Sequence, residues 1–186
     1  RLMYKDADGT EHYYKFDGTV FKDEDVPTET TITVNHSDPV YKFDMKDKNN
    51  NHIYFTPNGQ LAKIADKNGN YIVFSYNSIG KVGEAINSTG AITKFNYENG
   101  HLVNIVDSRG KTYSFQYYGD FLLRNIVDPD GESAQYDYNT GLRVLHYVKG
   151  STGGAYYYNY IGTPPYRVNG IYELDSTTMA SLGNQM

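Results

Sequence analysis

Several features common in other classes of protein are missing from this sequence. It has no cysteine, which excludes disulfides, thiolate metal sites and cysteine nucleophiles. No apolar run approaches the roughly 20 residues that a membrane-spanning helix needs. The 17 lysines and arginines are outnumbered by 22 acidic residues and are scattered singly, whereas nucleic-acid binders carry a basic patch or stripe. We therefore expect no membrane span and no nucleic-acid partner.

Helical periodicity is also scarce. Only Thr177–Leu182 weakly shows apolar residues at helical spacing. Tyrosine is abundant instead, with 20 residues beside 8 phenylalanines, and aromatic residues favour strands. The length of 186 residues indicates one domain or a segment of something larger. Because the sequence begins at Arg1 and stops after "SLGNQM" without a structural end, we expect a piece of a longer protein.

The chain repeats itself with a period of about 20–22 residues. Each repeat has a turn of the form Asp/Asn-x-x-Gly, with an aromatic residue five positions after the glycine and a tyrosine seven after it. The turns are Asp66–Gly69, Asn87–Gly90, Asp107–Gly110 and Asp128–Gly131, and their glycines are 21, 20 and 21 residues apart. The repeat-core pairs are Phe74/Tyr76, Phe95/Tyr97, Phe115/Tyr117 and Tyr136/Tyr138. The aliphatic pairs upstream are Leu61/Ile64, Val82/Ala85, Leu102/Ile105 and Leu123/Ile126.

This spacing predicts a β-hairpin in each repeat. Asp at the first position and Gly at the fourth suit a type I turn that ends in a left-handed glycine. The second turns read "YNSIG", "YENG", "YYGD" and "YNTG", again with Asn and Gly. Alternation places Tyr113, Phe115 and Tyr117 on one face, whereas Leu102 and Ile105 break that parity and predict a bulge.

A single hairpin of this kind is marginally stable in water. Repeats that cannot bury their own apolar face stack on their neighbours. We therefore predict an all-β fold in which tandem antiparallel β-hairpins form a long curved sheet.

Regularity divides the chain into three parts. Residues 59–141 form the regular array, residues 1–58 are degenerate repeats that lead into it, and residues 142–186 are a degenerate repeat with a C-terminal extension. The pattern reaches outward from Gly9 to Tyr14/Phe16, through Ile32/Val34 and Ile53/Phe55, and from Gly153 to Tyr158/Tyr160. One glycine position falls on Lys48 and is lost, and "GSTGG" at Gly150–Gly154 is interpreted as a widened turn.

The pattern G-x-L-x-x-I-x-D-x-x-G-x-x-x-x-F-x-Y at Gly100–Tyr117 resembles the YD repeat of Rhs proteins, wall-associated proteins, insecticidal toxin complexes and teneurins. The resemblance implies a hairpin ribbon that spirals into a hollow β-shell. That shell would enclose a C-terminal toxin or effector domain, or present an adhesive one. It implies a non-catalytic structural segment of a secreted or cell-surface bacterial protein, whose partners are the rest of its chain and the enclosed domain.

Rhs shells also undergo autoproteolysis near a D-P-x-G-L motif. The stretch Asp128–Glu132 reads "DPDGE", so a glutamate replaces the leucine. Because these residues occupy the ordinary turn of a repeat, the turn interpretation is favoured over cleavage.

Other candidate sites lack a complete set of groups. Two acidic clusters, Asp6/Asp8/Glu11 and Asp128/Asp130/Glu132, do not supply the six to eight oxygens of a calcium site, so turn capping is favoured. The histidines show no metal-ligand spacing and are expected to be solvated; they are His12, His36, His52, His101 and His146. No acid–base or nucleophile constellation is present. We therefore expect no catalytic residue, metal or cofactor.

The tyrosines near the C-terminal end offer an alternative function. Tyr156, Tyr157, Tyr158 and Tyr160 lie in "GGAYYYNY", and tyrosine rings can stack on sugars. The alternative is a carbohydrate- or cell-wall-binding module with cell-wall glycan as its partner. Such modules typically build their aromatic cages with tryptophan, and the absence of tryptophan argues against this alternative.

Overall fold

The structure is a computed structural model that describes residues 1–27, 29–119 and 121–174, and the backbone of 181–185. Eighteen β-strands and no helix occur in this described part. The predicted all-β fold of tandem antiparallel hairpins is confirmed. Of the weakly helical window, residues 177–180 lie outside the described residues, and the strand Ser181–Gln185 covers its last two. No described residue belongs to a helix that would cross a membrane.

The chain divides into two compact units, Arg1–Thr93 and Lys94–Met186. The first contains nine complete strands joined as an antiparallel meander. These are β1 (Leu2–Lys5), β2 (Glu11–Phe16), β3 (Phe21–Asp23), β4 (Thr30–Val34), β5 (Phe43–Asp47), β6 (His52–Phe55), β7 (Leu61–Ala65), β8 (Tyr71–Tyr76) and β9 (Val82–Asn87).

The second unit is also an antiparallel meander. Its strands are β10 (Ile92–Glu98), β11 (His101–Val106), β12 (Thr112–Tyr117), β13 (Leu123–Val127), β14 (Ser133–Asn139), β15 (Val144–Lys149), β16 (Ala155–Ile161), β17 (Arg167–Leu174) and β18 (Ser181–Gln185). The three-part division by repeat regularity stays a prediction.

One apolar row runs across six strands of the first unit. Cross-strand pairing joins Phe21, Ile32, Met45, Ile53, Ile64 and Ile72 in that order. Burial falls along this row, from 4% exposure at Ile32 and 6% at Met45 to 39% at Ile64 and 41% at Ile72. The buried core of this unit is therefore Tyr14, Ile32 and Met45. All three come before Gly59, and Ala62 in β7 is also buried, within the stretch predicted to be the regular array.

A bulge recurs at the same place in successive repeats. Between β10 and β11, Asn96 pairs with Asn104 but Tyr97 pairs with Leu102, so Val103 is the extra residue. The equivalent extra residues are Ala62, Gly83, Arg124, His146 and Asn169. The bulge shifts the strand by one residue. It therefore lets Leu102 and Ile105, three positions apart, pair with Tyr97 and Phe95 on one face.

Candidate functional site

The turn of the repeat is built by one aspartate and one glycine. At Asp107–Lys111, the Asp107 Oδ1 atom accepts the N–H groups of Arg109 and Lys111, each at 2.9 Å. The N–H of Gly110 donates to the Asp107 carbonyl at 3.0 Å, and Gly110 has a φ of 80°. A hydrogen bond from Arg109 to Asp107, followed by those backbone donors, lowers the pKa of the Asp107 carboxyl.

The other sequence-predicted turns have the same geometry. The first side chain of each turn accepts the N–H groups two and four residues later, and the glycine N–H donates to the carbonyl of that first residue. This holds for Asp66 with Gly69, for Asn87 with Gly90 and for Asp128 with Gly131. In each turn the carboxylate or amide oxygen satisfies two backbone donors that would otherwise face solvent.

The turn expected to have lost its glycine is in fact retained. Asp47 caps it by accepting the N–H groups of Asn49 and Asn51. Asn50 takes the left-handed position, with a φ of 64°. The sequence analysis placed the glycine position of this turn at Lys48. That was wrong, because the equivalent left-handed residue is Asn50, two residues later. Asn tolerates the left-handed conformation better than other non-glycine residues.

The second turns depart from the glycine pattern in two repeats. In "YYGDF" the left-handed residue is Phe121, with a φ of 68°, and in "YNTGLR" it is Arg143, with a φ of 55°. Gly119 and Gly141 are therefore not the left-handed residues in these turns. Phe121 stacks on His101, with ring centroids 4.4 Å apart and planes at 8°. The turn at Asn99–Gly100 does use the predicted residue types, since both have positive φ as in a type I′ turn.

"GSTGG" forms a turn of ordinary length. The N–H of Gly150 donates to the Gly154 carbonyl at 2.7 Å, and the N–H of Gly153 donates to the Gly150 carbonyl at 3.1 Å. These bonds match the backbone bonds of the Asp107–Lys111 turn. The interpretation of a widened turn was therefore wrong: the capping aspartate is missing, but the five-residue frame is kept.

The aromatic pair of each repeat lies against the aliphatic pair of the next. The cross-strand pairs in the second unit are Phe95 with Ile105, Tyr97 with Leu102, Phe115 with Ile126, Tyr117 with Leu123, Tyr136 with Val148 and Tyr138 with Leu145. In the first unit, Phe74 pairs with Ala85 and Tyr76 with Val82. All eight repeat-core aromatic residues are half-buried. The repeat face is thus apolar and continuous within each unit, but only partly covered.

Two repeat tyrosines also bond to the bulge. The hydroxyl groups of Tyr76 and Tyr117 donate to the carbonyls of Leu61 and Leu102, both at 2.8 Å. Each of those leucines directly precedes the extra residue of its bulge. A bulge disrupts the ladder of backbone hydrogen bonds locally. Here the tyrosine hydroxyl donates a hydrogen bond to the carbonyl next to the extra residue.

We expect Tyr117→Phe to lower the free energy of unfolding by about 0.5–1.5 kcal/mol, the net contribution of one hydrogen bond. The ring and its packing against Leu123 are retained, so only the bond to the Leu102 carbonyl is lost. Urea denaturation measures the difference. Tyr97→Phe is the matched control, because the Tyr97 hydroxyl bonds to no described residue although it occupies the same repeat position. A larger loss for the control would contradict this role.

The four candidate glycan-contact tyrosines do not share a face. They lie in β16, where successive side chains alternate, so Tyr156, Tyr158 and Tyr160 are on one side and Tyr157 on the other. Tyr157 packs edge-on against His146, with centroids 4.7 Å apart, and lies 6.1 Å from the Tyr172 ring. The sequence cluster is therefore divided into two separate surfaces.

The residues considered for metal binding and cleavage act in turns. Asp6 and Asp128 accept backbone N–H groups of their own turns, and Asp128 binds the N–H of Glu132. Among the residues that the structure describes, no group of three or more histidine, cysteine or acidic side chains is arranged to hold a metal ion.

One histidine lies between two carboxylates. His12 Nε2 is 3.2 Å from Asp6 Oδ2, and His12 Nδ1 is 3.4 Å from Asp23 Oδ2. Asp23 is buried, and its other oxygen caps the backbone N–H groups of Asp25 and Val26. The hydrogen bond with Asp6, with help from the charge of Asp23, raises the pKa of His12. His12 stays 34% exposed, and its contacts with two carboxylates add to the expectation of a solvated histidine.

This contact predicts a pH dependence of stability. Because the folded pKa of His12 is raised, its contribution is fully present below the ordinary histidine pKa of about 6.5. That contribution is lost as pH rises through the higher folded value. We expect the melting temperature of the wild type to exceed that of His12→Gln at about pH 5.5 and the difference to shrink by about pH 8.5. A constant difference across this range would contradict the ionic contact.

A cluster that sequence reasoning missed lies on the opposite face of the first unit from its apolar row. Lys63 Nζ lies 4.5 Å from the ring centroid of Tyr71, 5.6 Å from that of Tyr54 and 6.0 Å from that of Tyr41. His52 stacks on Tyr54 at 5.7 Å. These residues come from β6, β7, β8 and the segment before β5, and the repeat pattern marks none of these positions. Strand register alone brings them together.

Comparisons with known proteins agree on the fold. No protein-family model matches the sequence, and no curated protein sequence matches it. The crystal structure of TcdB2-TccC3 without the hypervariable C-terminal region is similar, with a TM-score of 0.59 and 16% identity, over 82% of this chain and 9% of that one. The TcdB2-TccC3-TEV structure is similar with a TM-score of 0.56 and 15% identity, over 97% of this chain and 11% of that one.

A third similar structure is the Photorhabdus luminescens Tc holotoxin pore with a mutated TccC3. The TM-score is 0.56 at 16% identity, and the match covers 82% of this chain and 9% of that one. This chain therefore spans only a small part of the chains it matches. At such identities the likeness shows the fold: this chain folds like a stretch of the large Tc toxin chains.

Proposed function

We propose that this chain is a non-catalytic structural segment of a large YD-repeat protein of the Rhs type. Its repeated hairpins would form part of the wall of a β-shell that encloses or presents a toxin, effector or adhesive domain. The observation that carries this proposal is the recurrence of one capped turn, one bulge and one aromatic–aliphatic register through successive repeats. The similarity to a short stretch of Tc toxin chains supports it.

The exposure of apolar side chains on the repeat face also supports a role in the wall of a shell. An isolated globular domain covers its apolar face, whereas here Ile64, Ile72 and Tyr113 are each about two-fifths exposed on the repeat face. Exposed apolar faces of this extent mark surfaces that another segment covers. We infer that the rest of a larger chain covers this face, and that the enclosed domain is a second partner of the wall. A secreted or bacterial cell-surface location follows from the same proposal.

Protease protection of the parent protein tests this function. In the full parent chain, we expect the C-terminal domain to resist protease while the repeats are intact. Valine at all four of Gly69, Gly90, Gly110 and Gly131 would strain the turns and expose that domain to digestion. The control replaces the neighbouring exposed residues Lys67 and Lys111 with alanine, which leaves the turns unchanged.

Two results would overturn the proposal. One is equal digestion of the C-terminal domain in the parent, the control and the valine variant. The other is an electron-microscopy structure of the parent in which both faces of this segment contact solvent. The second measurement remains decisive if the valine variant fails to fold.

The alternative function based on Tyr156, Tyr157, Tyr158 and Tyr160 stays a prediction. A continuous sugar platform needs rings on one surface, and the alternation of β16 puts Tyr157 on the other side. No specific contact in this strand favours it over the structural role.

A further inference from the structure

The dipeptide Asn-Gly recurs in this chain and is chemically labile in water. The backbone nitrogen of the glycine can attack the side-chain amide of the asparagine, because glycine has no side chain that obstructs the approach. The four copies are Asn58–Gly59, Asn68–Gly69, Asn99–Gly100 and Asn169–Gly170. The structure places them in different surroundings, and those surroundings decide which copy reacts first.

In two of the copies a hydrogen bond holds the glycine nitrogen. The N–H groups of Gly59 and Gly69 donate to the carbonyls of Thr56 and Asp66, at 2.9 and 3.2 Å. Each bond closes its turn. The nitrogen is available for attack only after the turn opens locally, and such opening costs free energy.

Further restraints act on two of the copies. Asp66 Oδ1 accepts the backbone N–H groups of Asn68 and Asn70, at 2.8 and 2.9 Å, and so fixes the backbone on both sides of Gly69. Gly170 is buried within β17 and pairs with Asn159. Reaction at Asn68 therefore requires the loss of a cap as well as the closing bond, and reaction at Asn169 requires the opening of a sheet.

The remaining copy, Asn99–Gly100, lacks these restraints. It forms the two-residue turn between β10 and β11, and both of its residues are exposed. Within the described part of the chain, the Gly100 N–H donates to no acceptor and no side chain caps the turn. The pairing of Glu98 with His101 closes it. Of the four copies, this one needs the smallest local opening before its glycine nitrogen is free.

We propose that Asn99 is a site of spontaneous deamidation, which converts it to a mixture of aspartate and isoaspartate. The Gly100 nitrogen gives up its proton and forms a bond to the side-chain carbonyl carbon of Asn99, and the side-chain amide nitrogen leaves as ammonia. Water then opens the resulting five-membered imide at either carbonyl. Opening at one carbonyl gives aspartate in the ordinary backbone, and opening at the other gives isoaspartate, with the backbone routed through the side chain.

The modification changes the hairpin that contains it. Both products add a negative charge next to Glu98, and isoaspartate lengthens the backbone by a methylene group. The type of a two-residue turn fixes the register of its strands, so the longer backbone cannot keep Glu98 opposite His101. We expect β10 and β11 to lose pairing near this turn, where His101 also stacks on Phe121. This inference does not depend on the proposed role in a shell.

Peptide mapping by mass spectrometry tests the proposal. The folded chain is incubated at mildly alkaline pH, and the deamidation of each Asn-Gly copy is followed over time. We expect Asn99 to react about two- to tenfold faster than Asn58, as the release of one hydrogen bond predicts, and faster still than Asn68. In concentrated urea the turns are lost, so these three asparagines should react at similar rates. A native rate at Asn99 no higher than the rates at Asn58 and Asn68, or a difference that persists undiminished in urea, would overturn the proposal.

Asp66→Ala tests the physical cause. It removes the cap beside Asn68, so the rate at Asn68 should rise severalfold while the rate at Asn99 stays unchanged. An unchanged rate at Asn68 would mean that the bonds within the turn do not set the reactivity, and the assignment to Asn99 would lose its basis. The melting temperature establishes that the variant is folded; if it is not, the comparison of the native chain with the chain in urea still decides.

The matched control for the structural effect is Asn99→Gly. It removes the reacting amide but keeps a residue that adopts the left-handed conformation readily. After equal incubation, we expect the amides of β10 and β11 near the turn to exchange hydrogen faster in the wild type and to stay protected in the variant. Equal loss of protection in both chains would show that the change in this hairpin does not come from Asn99.

Discussion

Tyr14→Ala is expected to be the most destabilising single substitution that we predict, lowering the free energy of unfolding by about 3–5 kcal/mol. Tyr14 is 2% exposed and packs with Ile32 and Met45 at the centre of the first unit. Its hydroxyl lies 2.8 Å from Thr30 Oγ1. The substitution therefore leaves a large cavity and removes the hydroxyl contacts with Thr30 and with the Met45 sulfur, 3.6 Å away.

Its neighbour provides the matched control. Tyr13 is the same residue type in the same strand, but its side chain is on the other face, bonded to Glu11 and lying under Arg1. We expect Tyr13→Ala to lower stability by less than about 1 kcal/mol, as is usual for surface positions. Urea denaturation of both variants measures the difference, and equal losses would show that the first unit has no core at Tyr14.

The intermediate variant Tyr14→Phe separates packing from hydrogen bonding. The ring is retained and only the hydroxyl contacts with Thr30 and with the Met45 sulfur are lost, so we expect a decrease of about 0.5–1.5 kcal/mol. A decrease as large as that of Tyr14→Ala would mean that the hydroxyl, and not the ring, stabilises this core.

Gly110→Val is expected to lower the free energy of unfolding by about 1–3 kcal/mol, the range for a strained backbone conformation. Gly110 has a φ of 80°, and a Cβ atom built there would meet nothing within 4 Å. Space is therefore available, and the whole effect comes from the positive φ, which a β-branched residue resists. Thermal denaturation of the variant measures it.

Two further substitutions separate strain from other causes. Gly110→Asn should be much milder, because Asn50 takes the same position of its own turn with a φ of 64°. Lys111→Ala should change stability by less than about 0.5 kcal/mol, since its ion pair with Asp130, at 3.2 Å, is exposed on both sides. Equal melting temperatures for Gly110→Val and Lys111→Ala would contradict the turn assignment.

Much of the local structure was predictable from the sequence. A turn is decided by neighbouring residues, and Asp107 and Gly110 adopt the cap and the left-handed conformation that their spacing indicates. The bulge was also predictable, because Leu102 and Ile105 cannot face one side of a regular strand. Both features depend only on interactions within a single hairpin.

The left-handed residue of a turn was predicted less accurately where the turn has no glycine at that position. The left-handed residues at Asn50 and Phe121 are not glycines, so a search for glycine missed them. A turn is closed by the strands on both sides, and their register places Phe121 in a conformation that its own preference opposes. Its ring stacks on His101, the first residue of β11, and the repeat spacing does not predict this contact.

The sequence by itself therefore determined the hairpins, the Asp/Asn-x-x-Gly turns and the face of each repeat, because a period of two and a capped turn are properties of short segments. Only the tertiary structure decided where the core lies and which side chains meet. Ile32 and Ile72 lie in the same cross-strand row but differ greatly in burial, because burial depends on what packs over a strand. Tyr54, Lys63 and Tyr71 meet for the same reason: they come from three strands, and the register between strands places them side by side.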